Sequence, residues 1–188
     1  GLLDDDNVDV MMYVGGVLLV LLALGVLVIA LYLFAPATLS SPKQLVILMI
    51  VLCLTLFLCI IGQMIHTYMT PALVCAMMLT GLLTPQTAVA GVLAISVLVS
   101  ALIAGGDSTY GAAMINLLFT TFISGMLSVA IVRRKPYRQQ VLLCGIFAAL
   151  SNILIILTIG FMTNTSITEV FSNALWSACS AIIASVLC

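Results

Sequence analysis

Long apolar runs follow one another along most of this chain, each closed by a short polar or Pro- or Gly-bearing break. The runs fall at about 10–34, 44–64, 71–83, 86–105, 109–132, 140–162 and 170–188. Six have about the length a helix needs to cross a ~30 Å hydrocarbon core. The third is short, since thirteen residues of helix rise only about 20 Å. It crosses only if Tyr68 to Thr70 join it, giving a helix over 68–83, or if the bilayer thins locally; otherwise it is a re-entrant piece. Ala35-Pro36 stops the first run, and Ser40-Ser41-Pro42-Lys43 makes the first loop. Gly105-Gly106-Asp107-Ser108 breaks the fourth run, and Thr163-Asn164-Thr165-Ser166 precedes the last. Pro85 suits the first turn of a helix beginning near 86.

Composition fixes the class. The chain is 64% hydrophobic and only 6% charged, whereas a soluble domain carries about 25% charged residues. The alternating ten-residue segments of a membrane β-barrel are absent. The sequence therefore predicts an all-α polytopic membrane bundle of seven transmembrane helices, placed in the cell membrane as a multi-pass protein. Charge sets its sidedness. Arg133-Arg134-Lys135-Pro136-Tyr137-Arg138 holds four of the five basic residues. Placed in the cytoplasm, as the positive-inside tendency requires, it brings the Lys43 loop to the same side by alternation. All five Lys and Arg then fall inside, and all six Asp and Glu fall outside. Lys43, Arg133, Arg134, Lys135 and Arg138 are thus the cytoplasmic anchor, with the N-terminus outside and the C-terminus inside. Were 71–83 not to cross, Lys43 and the basic stretch would lie on opposite sides. Residues 1–9, with Asp4, Asp5, Asp6 and Asp9, read as an acidic extracellular lead-in to a membrane domain over 10–188. Gly1 and Cys188 both look like cut ends, which suggests an excised domain.

Small residues recur at four-residue spacing: Ser96, Ser100 and Ala104; Ser124 and Ser128; Gly145 and Ala149; Ser177, Ala181 and Ser185. Such faces let helix backbones approach closely in lipid, where packing rather than the hydrophobic effect drives association. Little chemistry is on offer. No Asp, Glu, Lys or Arg lies in mid-helix, so a proton relay or ion-coupled path has no carrier. One histidine and no intramembrane carboxylate build no metal site, and Gly15-Gly16 and Gly105-Gly106 lack the rest of a phosphate loop. The six cysteines fall within apolar runs and read as packing residues. The basic stretch reads as a lipid-headgroup anchor and not a nucleic-acid site. The polar candidates are His66, Gln63, Asn116, Ser151 and Asn152. Each is either a ligand contact or an interhelical hydrogen-bonding group, because lipid offers a buried amide no partner. His66 is either an interfacial polar residue or a ligand contact or pH sensor.

Several of these positions also carry a resemblance. Pro71-Ala72-Leu73 opens a short helix, and Ala88 to Ala104 forms a small-residue helix. Ser124-Gly125-Met126 then leads into Val132-Arg133-Arg134-Lys135, followed by Arg138, Gly145, Asn152 and a Ser/Ala-rich last helix. Over roughly 10–188 this resembles the membrane region of the seven-transmembrane HD-hydrolase family, the PgpH-like cyclic-di-AMP phosphodiesterases. The resemblance implies a large extracellular domain before the helices and a cytoplasmic HD phosphohydrolase domain after them. It implies metal ions only in that HD domain, so this chain alone is no enzyme and carries no cofactor. The segment would anchor the enzyme and relay a signal, with the bilayer, the flanking domains and a second copy of itself as partners. Two other readings stay open: the small-solute (vitamin-type) binding membrane subunit of a transporter, and a purely structural membrane module. The transporter class usually has six helices with both ends inside.

Overall fold

The computed structural model describes residues 2–104, 111–132, 138–163 and 166–188. Among the described residues every regular element is a helix: α1 Leu2–Phe34, α2 Pro36–Ser40, α3 Pro42–Ile65, α4 Leu73–Leu82, α5 Pro85–Ala104, α6 Gly111–Val132, α7 Arg138–Met162 and α8 Ile167–Leu187. Among the described residues five stretches are long and apolar enough to cross a membrane: Val14–Phe34, Pro42–Ile65, Met114–Val132, Gln139–Met162 and Ile167–Leu187. Leu73–Leu82 is a shorter apolar helix.

Three boundaries differ from the pattern-based expectation. The acidic residues near the N-terminus do not lead into a helix; α1 already runs through them from Leu2. The first loop is mostly helical, because Pro36–Ser40 forms one turn, α2, and Ser41 alone separates it from α3. Proline explains both starts: Pro36 and Pro42 each sit in a first helical turn, where the missing N–H has no partner to lose. The helix expected over 68–83 does not begin at Tyr68. It begins at Leu73 and is ten residues long, which is about 15 Å. Pro71 cannot supply the N–H that would continue a helix through it. The basic stretch from Arg133 to Lys135 lies outside the described residues, as do Gly105, Gly106, Asp107, Asn164 and Thr165. Arg138 opens α7.

α4 is the buried element. Leu73 to Met77 and Leu79 are all buried, and the helix packs against α3, α5, α6 and α8. α5, α6, α7 and α8 pack in chain order, and α1 lies against α5. The small-residue faces make these contacts close. Ser96, Ser100, Ser124, Ser128, Ala149, Ser177, Ala181 and Ser185 are all buried. A methyl group on Gly125 would stand 2.6 Å from Val92 Cγ1. One on Gly145 would meet Ser185, and one on Gly160 would meet Val170. These last two contacts are fifteen residues apart on each helix, in opposite directions (145 to 160 on α7, 185 to 170 on α8). α7 and α8 are therefore antiparallel and touch along about 22 Å.

Two hydrogen bonds locate the ends. Thr38 Oγ1 on α2 lies 2.8 Å from Thr87 Oγ1 on α5, so the α1–α3 connection and the α4–α5 turn share one end of the bundle. Thr84 caps α5 there: its Oγ1 accepts from the Thr87 N–H at 3.3 Å, the usual service of a threonine before a first-turn proline. α3, with 24 residues, is about 36 Å long and carries the chain to the other end. Residues 66 to 83 bring it back.

Candidate functional site

The return path begins without a helix. His66 ends α3 in an extended conformation, φ −159° and ψ 140°, and its N–H still reaches Gly62 O. From there to Ala72 the backbone is irregular, yet Tyr68, Thr70, Pro71 and Ala72 are buried. Irregular backbone inside a membrane protein is tolerated only where protein surrounds it and its polar groups find partners. Met69 N–H donates to His66 O at 2.8 Å, and Ala72 N–H to Thr70 O at 2.8 Å. Tyr68 N–H donates to His66 Nδ1 at 3.3 Å. The segment folds straight back on the last turn of α3. A Cβ on Gly62 would collide with the Met69 carbonyl oxygen and stand 3.3 Å from Pro71 Cδ. Only glycine lets two backbones come this near.

This break touches three helices. The His66 imidazole stacks on the Trp176 indole of α8, with ring centroids 5.1 Å apart and planes 11° apart. The Tyr68 hydroxyl accepts from Asn116 Nδ2 of α6 at 3.3 Å. The Tyr68 ring packs in a cluster with Leu117 of α6, Ile156 of α7 and Val170 and Ala174 of α8. Midway along the return path, Cys188 Sγ approaches Val74 O at the start of α4 at 3.9 Å. The segment and α4 together therefore link α3, α6 and α8.

The five polar candidates are placed unequally. Asn116 is 7% exposed and Asn152 6% exposed, and the Oδ1 of each is buried without a hydrogen-bond partner. Turning the Asn116 amide over would let Tyr68 donate to Oδ1 and would leave the NH₂ unpaired, so one polar group of Asn116 is orphaned either way. Ser151 donates to Ala148 O within its own helix at 2.8 Å. Gln63 is half-buried, and its Nε2 has no partner. His66 is half-buried beside Tyr68. The structure thus joins His66 and Asn116 through the break. Pattern reasoning did not single out Tyr68, Trp176, Thr38 or Thr87. The one signal for Trp176 was its being the only tryptophan in the chain, placed in mid-helix.

Among the described residues the larger clefts lie away from these groups. Clefts of about 530 Å³ open between α5 and α6, lined by Pro85, Gln86 and Met126 among others, and between α6 and α7, lined by Ile115, Phe119, Leu154 and their neighbours. None of the five candidates lines either cleft. Among the described residues no group of three or more His, Cys, Asp or Glu side chains could hold a metal ion. What the arrangement offers is mechanical: a short non-helical strap clasped by one aromatic stack and one hydrogen bond to separate helices.

The family described as "7TM receptor with intracellular HD hydrolase" matches residues 10–188. No curated protein and no solved structure matches. A run of apolar spanning helices and a family match over nearly the whole length agree on a multi-pass membrane module. The chain therefore belongs to the family of 7TM receptors with an intracellular HD hydrolase.

Proposed function

We propose that this chain is the membrane relay of a cyclic-di-AMP phosphodiesterase of the bacterial cell membrane. In this reading it crosses the bilayer seven times, with residues 1–9 outside, 10–188 as the membrane domain and the C-terminus inside. The crossings are α1, α3, the break with α4, α5, α6, α7 and α8. Lys43, Arg133, Arg134, Lys135 and Arg138 hold the cytoplasmic side. The observation that carries the crossing count is the Thr38–Thr87 contact. With α3 running the length of the bundle, it supports a third crossing made partly of irregular backbone and partly of the ten-residue α4. The charge split, all basic residues on one side and all acidic on the other, supports the orientation. A reporter fused at Ser40 or Gln86 is expected to read one side, and one at His66 the other. If His66 and Gln86 read alike, the third crossing is wrong.

The relay reading rests on the strap. A signal reaching α3 or α6 is passed to α8 through His66 and Tyr68, and from there to the intracellular hydrolase. In this reading any metal chemistry belongs to that HD part. The test replaces the membrane domain of the full-length protein with an unrelated single helix. Unchanged regulation of cyclic-di-AMP hydrolysis in cells would remove the relay and leave only an anchor.

A further inference from the structure

We propose that His66, stacked on α8, is a proton-operated latch: neutral, its Nδ1 holds the turn of the 66–72 strap closed on Tyr68; protonated, it releases that turn. The geometry assigns the tautomer. Nδ1 accepts the Tyr68 N–H at 3.3 Å, so in the neutral ring the proton sits on Nε2. The same ring lies flat on Trp176 at 5.1 Å. One imidazole thus fixes the turn of its own backbone and the distance to α8. A proton taken from solvent adds to the Nδ1 lone pair. Nδ1 then becomes a donor facing another donor, and the Tyr68 N–H loses its acceptor. No other bond changes. The stack on Trp176 survives as a cation–π contact, so the released end is Tyr68, with its tie to Asn116 of α6.

Among the described residues little else near the ring titrates. Within the strap the facing group is the Tyr68 phenol, with ring centroids 6.1 Å away, and a phenol stays protonated through the pH range in which histidine changes charge. The last turn of α3 offers Gly62, Gln63, Met64 and Ile65, none ionisable. α6 contributes Asn116. On α8 the exposed Cys179 lies less than one turn from Trp176, and the exposed Glu169 about two turns toward the start of the helix. The latch needs only the strap and α8; its output through α8 rests on the relay reading.

The chain has one histidine and one tryptophan, so the pair reports on itself. An imidazolium stacked on an indole quenches its emission. In lipid nanodiscs, Trp176 emission is expected to fall along a one-proton curve between pH 8 and 5. His66→Asn is expected to stay flat, because its Oδ1 can accept the same i+2 N–H and cannot gain a proton. Below the midpoint, amides of 66–72 are expected to exchange about five-fold faster after correction for intrinsic rate, the factor for one lost hydrogen bond. A flat wild-type emission curve, the same curve in His66→Asn, or unchanged exchange across the midpoint would each overturn the latch. If His66→Asn does not fold, the wild-type emission and exchange still decide. Hydrolase activity of the full-length protein over the same range separates the two claims. A pH response lost in His66→Asn supports the output through α8. Absence of any response, with the Trp176 titration intact, removes the output through α8 and leaves the latch.

Discussion

Replacing Gly62 with alanine should unseat the strap. The new methyl would be driven into the Met69 carbonyl oxygen, with the carbonyl carbon 3.1 Å and Pro71 Cδ 3.3 Å away. The obstacle is backbone, so no rotamer change relieves it. The oxygen must retreat by more than about 1 Å to reach ordinary van der Waals contact. Met69 is tied to His66 O, and Thr70, Pro71 and Ala72 beyond it are buried, so the retreat disturbs packing on several sides. Overpacking of this kind costs about 1–3 kcal/mol, and an immovable partner puts Gly62→Ala near the upper figure. About 3 kcal/mol raises the unfolded-to-folded ratio roughly 100-fold. Gly25→Ala is the control, since nothing stands within 4 Å of its Cβ position and alanine favours helix over glycine by up to about 1 kcal/mol. Unfolding in detergent can be followed by a thiol-reactive dye, because Cys59, Cys75 and Cys144 are buried. Equal stability of Gly62→Ala and Gly25→Ala, to within about 0.5 kcal/mol, would refute the close approach of strap and helix.

Other outcomes are open to the same assay. Gly145→Ala should destabilise by about 2 kcal/mol, because Ser185 Cβ stands 2.5 Å from the new methyl and cannot rotate away; Ser185→Gly should restore part of the loss, and an absence of rescue would mean α7 and α8 do not meet there. A double-mutant cycle of Tyr68→Phe with Asn116→Leu should give a coupling of about 0.6 and at most about 1.7 kcal/mol, the range for hydrogen bonds between membrane helices. Zero coupling would deny the Tyr68–Asn116 bond. A maleimide should spare Cys59, Cys75 and Cys144 in the folded protein and label them once it unfolds; mass spectrometry of the labelled peptides reads the difference, and early labelling of Cys75 would contradict a buried α4.

Much of the fold was legible in the pattern, because the cues were local. Runs of apolar residues gave the long helices. Four-residue spacing gave the close faces, and Ser100, Ser124, Ser128, Gly145, Ala149 and Ala181 do lie inside. Even the doubtful third run announced itself by being too short. Its form did not, for a physical reason. Extending it through Tyr68 assumes that buried backbone in lipid must be helical, yet the strap satisfies its amides with a turn and a histidine ring. The partners that make this possible are distant in sequence: Tyr68 meets Asn116 across 48 residues and Thr38 meets Thr87 across 49. His66 and Trp176 are farther apart still. No local period carries such pairs. The expectation for Asn152 shows the converse limit. A buried amide needs a partner by rule, and its Oδ1 has none among the described residues.

The buried hydroxyls have a consequence for motion. Thr55 donates to Val51 O, Ser96 to Leu93 O, Ser100 to Val97 O, Thr121 to Leu117 O, Ser128 to Ser124 O and Ser185 to Ile182 O. Each of these bonds closes within its own helix; Thr55 also meets Cys75 of α4, and Ser128 meets Cys144 of α7. The surfaces that meet between α5 and α6 are therefore made largely of small side chains whose hydroxyls are already occupied, whereas on α8 the buried Ser180 Oγ has no partner among the described residues. Sliding one helix past the next breaks dispersion contacts and re-forms them a short step later, and it severs none of the hydrogen bonds within each helix. Shear between packed helices then has few hydrogen bonds to break, and the contacts that do cross, at Thr38, Thr55, Tyr68, Ser128 and Cys188, set where such sliding must stop.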